Sequence, residues 1–222
     1  VTVGGVADVI FGHPVAGRMV QTTYPASFVN QVSLFDMNMR PGKSKWPPFT
    51  NPGRTYRFYT KKPVLPFGYG LSYTSWKYEV VPSVASRDGV DRVGRAALDL
   101  EQVHALVRGD TDVKGWHEGT GFFVNVTNTG KVDSDDVVLG FMTPPGAGRG
   151  GVPRHVLFGF ERVHVVAGES VQVYIGAQLE HFTQVGEDGQ RRVWPGEYTI
   201  HFGVKDTLEH GMGYTEIQLF AE

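Results

Sequence analysis

From residue 71 onward one parity of position is repeatedly apolar, and this period of two restricts the fold more than any other feature of the chain. In SWKYEV, Trp76, Tyr78 and Val80 share one parity while Lys77 and Glu79 take the other. Phe122, Val124 and Val126 share a parity in FFVNVTNTGK before the turn signal NTGK. Val137, Leu139 and Phe141 mark a further strand, as do Val163 with Val165, and Val171, Val173 with Ile175. Tyr198, Ile200, Phe202 and Val204 supply another, and Ile217 with Leu219 a last. Successive strand side chains point to opposite faces, so such a pattern buries one face of each segment. About seven short strands with Gly-rich turns predict a mainly β chain, an immunoglobulin-like or fibronectin-type sandwich.

Residues 83–116 interrupt the alternation. There AALDLEQVHALVRG places Leu98, Val103, Leu106 and Val107 at helical spacing, which predicts a short helix in an insertion. At the other end, GGVADVIFGHP puts Val6, Val9 and Ile10 on one helical stripe that Gly12 and Pro14 stop. GRMVQTTYP follows as a predicted strand closed by Pro25. One helix and one strand cannot bury their own apolar faces, so the pair reads as the end of a larger α/β domain. Residues 26–62, rich in Pro, Gly, Lys and Arg, suit a long ordered connector. Val1 is not an initiator and no signal-peptide pattern follows it, so we read the chain as part of a longer polypeptide.

A formal charge of -2, from 21 Lys and Arg against 23 Asp and Glu, argues against a nucleic-acid partner. No stretch reaches membrane-spanning length. Cysteine is absent, which removes disulfides, thiol nucleophiles and thiolate metal sites. Asn125-Val126-Thr127 is a glycosylation acceptor, whereas Asn51 is excluded by Pro52.

Candidate chemistry is sparse. Gly146, Gly148 and Gly151 match a dinucleotide fingerprint in form, but Pro144 and Pro145 precede them and Pro153 leads into another strand, so a hairpin loop is expected. The histidines fall in no ligand spacing. His117-Glu118 has Gly121 where a second ligand belongs, and His13, His155, His164, His201 and His210 read as scattered surface residues, with no metal expected. Ser72 lies outside a nucleophile elbow. Asp133, Asp135 and Asp136 in KVDSDD read as a solvated hairpin tip. In PVLPFGYGLSYTSWKY the apolar parity switches near Thr74-Ser75, as a bulge or bend requires. Gly68 and Gly70 allow close backbone approach at that corner. Rings on either side would then pack in two directions, one set under the sandwich and one against the preceding domain. An exposed platform for sugars is the alternative.

GRTYRFYTKKPVLPFGYGLSYT, Gly53 to Thr74, resembles the signature that ends the second domain of glycoside hydrolase family 3 enzymes. GGVADVIFGHPVAGRMVQTTYPASF is similar to the last helix and strand before it. TNTGKVDSDDVVLGFM, LFGFERVHVVAGES and WPGEYTIHFGV resemble strands of the family's terminal fibronectin type III-like domain, and FDMNMRP resembles its β-xylosidase branch. Met19-Val20 and Thr23 depart from that pattern, and residues 83–116 match nothing in it.

The resemblance implies that residues 1–35 end an α/β sandwich domain, 36–70 connect, and 71–222 form the fibronectin type III-like domain with its insertion. It implies a secreted, glycosylated enzyme releasing xylose from xylo-oligosaccharides, with no cofactor. An Asp nucleophile and a Glu acid/base would both lie upstream of Val1, so no catalytic, substrate-binding or metal residue is assigned here. This portion would brace the remainder of the same enzyme. A carbohydrate-binding or adhesion module using Trp46, Trp116 or Trp194 is the competing expectation. A separate enzyme with its own site ranks behind both.

Overall fold

The computed structural model describes residues 3–13, 16–81, 121–186, 189–205 and 211–221. The expected helix within 83–116 lies outside them. Helix α1, Val3–Ile10, matches the predicted stripe and ends where Gly12 takes φ +94°. Its apolar side faces solvent, with Val6 58% and Ile10 70% exposed. GRMVQTTYP does not form the predicted strand. Its extended backbone bonds to residues 64–69 in two separated places: Val64 and Thr23 N–H groups donate to Thr23 and Leu65 carbonyls, and Met19 and Gly68 N–H groups donate to Tyr69 and Met19 carbonyls. Pro66, with no N–H, lies between the two sets, so the pairing never becomes a ladder.

The connector holds a 3₁₀ turn, Ala26–Asn30, a minimal hairpin of β1 (Gly42–Lys43) and β2 (Thr50–Asn51), and a single helical turn α2 (Thr55–Phe58). The strands that follow are β3 (Trp76–Val81), β4 (Gly121–Asn128), β5 (Ser134–Thr143), β6 (Val156–Val165) and β7 (Ser170–Gly176). A small β8–β9 hairpin (Gln184–Val185 and Arg191–Arg192) precedes β10 (Gly196–Gly203) and β11 (Tyr214–Ala221). One antiparallel sheet runs β3-β4-β7, the other β11-β10-β5-β6. Val124, Val126, Val138, Met142, Ile200 and Phe202 fill the space between them, each with no measurable exposure.

One strand inverts the expected parity. On β5 it is Val138 and Met142 that join the sandwich core. Leu139 and Phe141, also buried, lie on the other face, where Phe141 meets Phe67 and Tyr56. The four-stranded sheet is therefore covered on both sides, by the second sheet and by the connector. Between β5 and β6 the register shifts at Gly140/Phe141, and Phe158 is the unpaired residue.

The aromatic corner divides its rings between these layers. Phe67 stacks on Tyr56 at 4.5 Å, Tyr73 donates its hydroxyl to the Val9 carbonyl at 2.6 Å, and Trp76 and Tyr78 sit in the sandwich core. Gly68, at φ +81°, leaves no room for a side chain, since a Cβ there would lie 2.6 Å from Leu139. A Cβ at Gly70 would lie 2.3 Å from the Gly17 carbonyl and 3.1 Å from Arg18. These two glycines let the connector lie directly on the sheet and let the N-terminal segment lie on the connector.

Candidate functional site

Two features join the N-terminal segment and connector to the sandwich. The first is a buried cluster. Arg18 donates from Nη2 to Asp136 Oδ1, Tyr78 donates its hydroxyl to Asp136 Oδ2, and the Val137 N–H donates to Oδ1 at 2.9 Å. Asp136 is 3% exposed and the Arg18 side chain 12%. Burial first, and then the negative charge of Asp136, push the Tyr78 phenol well above its ordinary pKa, which keeps it a donor. The solvated tip expected for KVDSDD is thus overturned for Asp136. A buried carboxylate needs charged and hydrogen-bonding partners, and Arg18 and Tyr78 supply them.

The neighbouring acids behave otherwise. Asp133 accepts from the Ala167 N–H at 2.9 Å. Asp135 accepts from Arg162 Nη2 at 2.6 Å and contacts His164 Nδ1 at 2.7 Å, and these two bonds, Arg162 first, hold its carboxyl below the usual range.

The second feature is a cleft of about 660 Å³ between the connector and the outer face of the four-stranded sheet. α2 and the chain after it supply Tyr56, Tyr59, Lys61 and Lys62. β5 supplies Phe141 and Thr143, β10 supplies Thr199 and His201, and β11 supplies Tyr214 and Glu216. Phe141 stacks on His201 at 5.1 Å, and His155 meets His201 edge-on at 5.2 Å. Arg154 locks the wall, donating its N–H to the Arg57 carbonyl at 2.6 Å and Nη1 to the Tyr59 carbonyl at 2.8 Å.

His155 and His201 are therefore not scattered surface residues. Burial first, then the charge of Arg154, lowers His155 to about 4. Burial first, then His155, lowers His201 to about 3. Both imidazoles are neutral at ordinary pH, and the Thr143 hydroxyl lies 2.9 Å from His155 Nδ1. Among the described residues no group of three or more His, Asp or Glu could hold a metal ion.

The remaining candidates lie apart from the cleft. Gly146, Gly148 and Gly151, all at positive φ, form the β5–β6 loop, and Arg40 donates Nε to the Gly151 carbonyl at 3.0 Å. Ser72 Oγ accepts from the Thr74 N–H at 3.2 Å and from Trp76 Nε1 at 3.3 Å. Trp46 is 40% exposed and packs 5.4 Å from Phe35, and Trp194 is 46% exposed beside Tyr198. Trp116 lies outside the described residues. Asn125 is half-buried on β4 opposite Gln172, whose Nε2 donates to its Oδ1 at 3.3 Å.

Neither Asp136 nor the cleft was identified from sequence. The available signal was a run of apolar or aromatic residues at outward strand positions: Leu139 and Phe141 on β5, and Tyr214 on β11.

Residues 136–205 match the model of the fibronectin type III-like domain. The exo-1,4-β-xylosidase bxlB of Emericella nidulans is 35% identical over 204 residues, 91% of this chain and 24% of that protein. A probable exo-1,4-β-xylosidase xlnD of Neosartorya fischeri is 36% identical over 85% of this chain and 22% of that protein. Among solved structures, the family 3 exo-β-xylosidase XlnD in complex with a xylobiose aziridine activity-based probe superposes with a TM-score of 0.71. It is 28% identical, over 98% of this chain and 26% of that one. The β-D-glucoside glucohydrolase of Trichoderma reesei shares the fold, with a TM-score of 0.61, 17% identity, and coverage of 99% of this chain and 28% of that one.

The two sheets and the matched span define a fibronectin type III-like sandwich carrying an N-terminal extension. Over nearly its whole length the chain is similar to a portion of the fungal exo-1,4-β-xylosidases and of the family 3 exo-β-xylosidase structure. It spans about a quarter of the length of those relatives.

Proposed function

We propose that this chain is the C-terminal, bracing portion of a secreted exo-acting β-xylosidase that releases xylose from xylo-oligosaccharides with retention of configuration. Residues 1–35 end the α/β sandwich domain, 36–70 connect, and 71–222 form the terminal domain with its insertion near 83–116. The observation that carries the reading is the 35% identity to an exo-1,4-β-xylosidase across 91% of this chain.

Retaining hydrolysis needs two carboxyl groups about 5 Å apart across the glycosidic bond. Among the described residues lining the cleft, Glu216 is the one carboxylate, and Tyr214 donates its hydroxyl to it. The catalytic pair accordingly belongs to the remainder of the enzyme, the partner of this portion. Among the described residues no helix is long and apolar enough to cross a membrane. Asn125 is the proposed glycan site.

The test compares xylose release from an aryl β-xyloside by residues 1–222 alone and by the protein at the length its source makes. Release only by the longer form is expected, with a glycan mass that Asn125→Gln removes. Robust turnover by residues 1–222 alone would refute the bracing role.

A further inference from the structure

The cleft has no task in the proposed hydrolysis, yet its wall is chemically specific. Tyr56 stacks on Phe67, Phe67 meets Phe141 edge-on at 6.2 Å, and Phe141 stacks on His201. Phe141 itself is buried, so the partly exposed Tyr56, Phe67 and His201 around it are the rings that offer flat faces to a ligand whose own faces are C–H rich, as pyranose rings are. Two buried polar atoms of the lining have no hydrogen-bond partner: the hydroxyl of Tyr59, a residue 4% exposed, and the hydroxyl of Thr22. An orphaned buried hydroxyl carries a desolvation penalty that a ligand supplying its partner recovers.

The charges of the lining are unequal. Lys61, Lys62, Lys205 and Arg154 face a single acid, Glu216, and the two imidazoles add nothing because they are neutral. A neutral sugar would leave these cations without a counter-charge, whereas a carboxylate complements them. Arg154 gives Nη1 to the Tyr59 carbonyl and its backbone N–H to the Arg57 carbonyl, and α2 is one turn long, so the described lining holds no helix N-terminus or bidentate fork already aimed at a phosphate. About 660 Å³ falls within the range of small-molecule sites and has room for a short oligosaccharide.

We propose that the cleft binds an acidic oligosaccharide, a short sugar chain bearing a uronic-acid carboxylate, through the aromatic row, the Tyr59 hydroxyl and the lysines of its rim. The assignment goes beyond the xylosidase reading, since binding here requires no bond cleavage.

The experiment is calorimetric titration of the protein at the length its source makes. The probes are xylotriose carrying one glucuronic acid, trigalacturonate, unsubstituted xylotriose, and adenosine monophosphate as a non-sugar anion. Both acidic sugars should bind about tenfold or more tighter than xylotriose, with the margin shrinking in high salt. Tyr59→Phe should weaken acidic-sugar binding about three- to tenfold while leaving Tm unchanged or raised, because it deletes the orphaned hydroxyl. Lys62→Gln with Lys205→Gln should erase the acidic preference and spare xylotriose binding. The proposal is overturned if neither acidic sugar binds at millimolar concentration, if the nucleotide binds tighter than both, or if the substitutions leave affinity unchanged. Xyloside hydrolysis is measured on the same preparation; its absence would count against the functional proposal and leave the binding result standing.

Discussion

Replacing Asp136 by Ala tests whether the N-terminal segment and the sandwich are energetically one body. In the folded chain the carboxylate takes the Arg18 guanidinium, the Tyr78 hydroxyl and the Val137 N–H. Arg18 cannot swing freely to water, because its side chain is 12% exposed and passes alongside Gly70. Removing one member of a buried ion pair costs about 3–5 kcal/mol, most of it the charge left behind. The orphaned Tyr78 hydroxyl adds to this, but the two penalties share one acceptor and do not sum, so about 4 kcal/mol is expected. At roughly 2–4 °C per kcal/mol for a chain of this size, Tm falls by about 8–16 °C. Urea denaturation of the parent, Asp136→Ala, Arg18→Met and the double variant gives the coupling directly. The double variant should be more stable than Asp136→Ala alone, since it leaves no unpaired buried cation. A coupling energy below about 0.5 kcal/mol would refute the reasoning.

Acid should destabilise the protein well above the carboxylate range. His155 and His201 titrate at about 4 and about 3 when folded, against about 6.5 when unfolded, so the unfolded chain takes up protons that the folded chain refuses. Their contribution is complete above about pH 6.5 and declines as pH falls through about 4, at about 1.4 kcal/mol per unit of displacement. Thermal melts across that window should show the decline and His201→Phe should reduce it; an identical decline in the variant contradicts the assignment. Gly68→Ala places a Cβ 2.6 Å from Leu139 and 2.8 Å from Val204 at φ +81°. A loss of about 1–3 kcal/mol is expected in urea unfolding, and a neutral effect would mean that the connector does not press on β5.

The sandwich was legible where the residues of a strand's outer face are polar. On β3 the alternation Trp76, Tyr78 against Lys77, Glu79 is also the burial alternation, and on β10 Tyr198, Ile200 and Phe202 form the inner face as expected. It failed on β5 because that strand has no wet face. Leu139 and Phe141 are as apolar as Val138 and Met142, so parity carries no sign. GRMVQTTYP misled for a different reason: its own composition suits a strand, but the partner segment contains Pro66, and pairing is a property of two segments. Asp136 was unreadable because its partner Arg18 lies 118 positions away, while the local run of acids looks like any turn. The cleft is built from three stretches far apart in the chain, within 22–69, 141–155 and 199–216, and only the aromatic outward positions of β5 and β11 hinted that something covers that face.

That covering layer decides what the boundary near residue 70 means. A linker between independent domains is exposed and crossed by few contacts. Here Gly68 lies against Leu139, Phe67 against Phe141, Arg154 binds the Arg57 and Tyr59 carbonyls, and Arg18 reaches a carboxylate inside the sandwich. The connector is thus a third layer packed on the sandwich, not a loose tether. The large exposed apolar side chains of the N-terminal half, including Phe11, Val20, Leu34, Phe35 and Met37, are those that make no such contact with the sheet. On the proposed reading they are the groups left to face the rest of the enzyme, and the sandwich braces it through the connector.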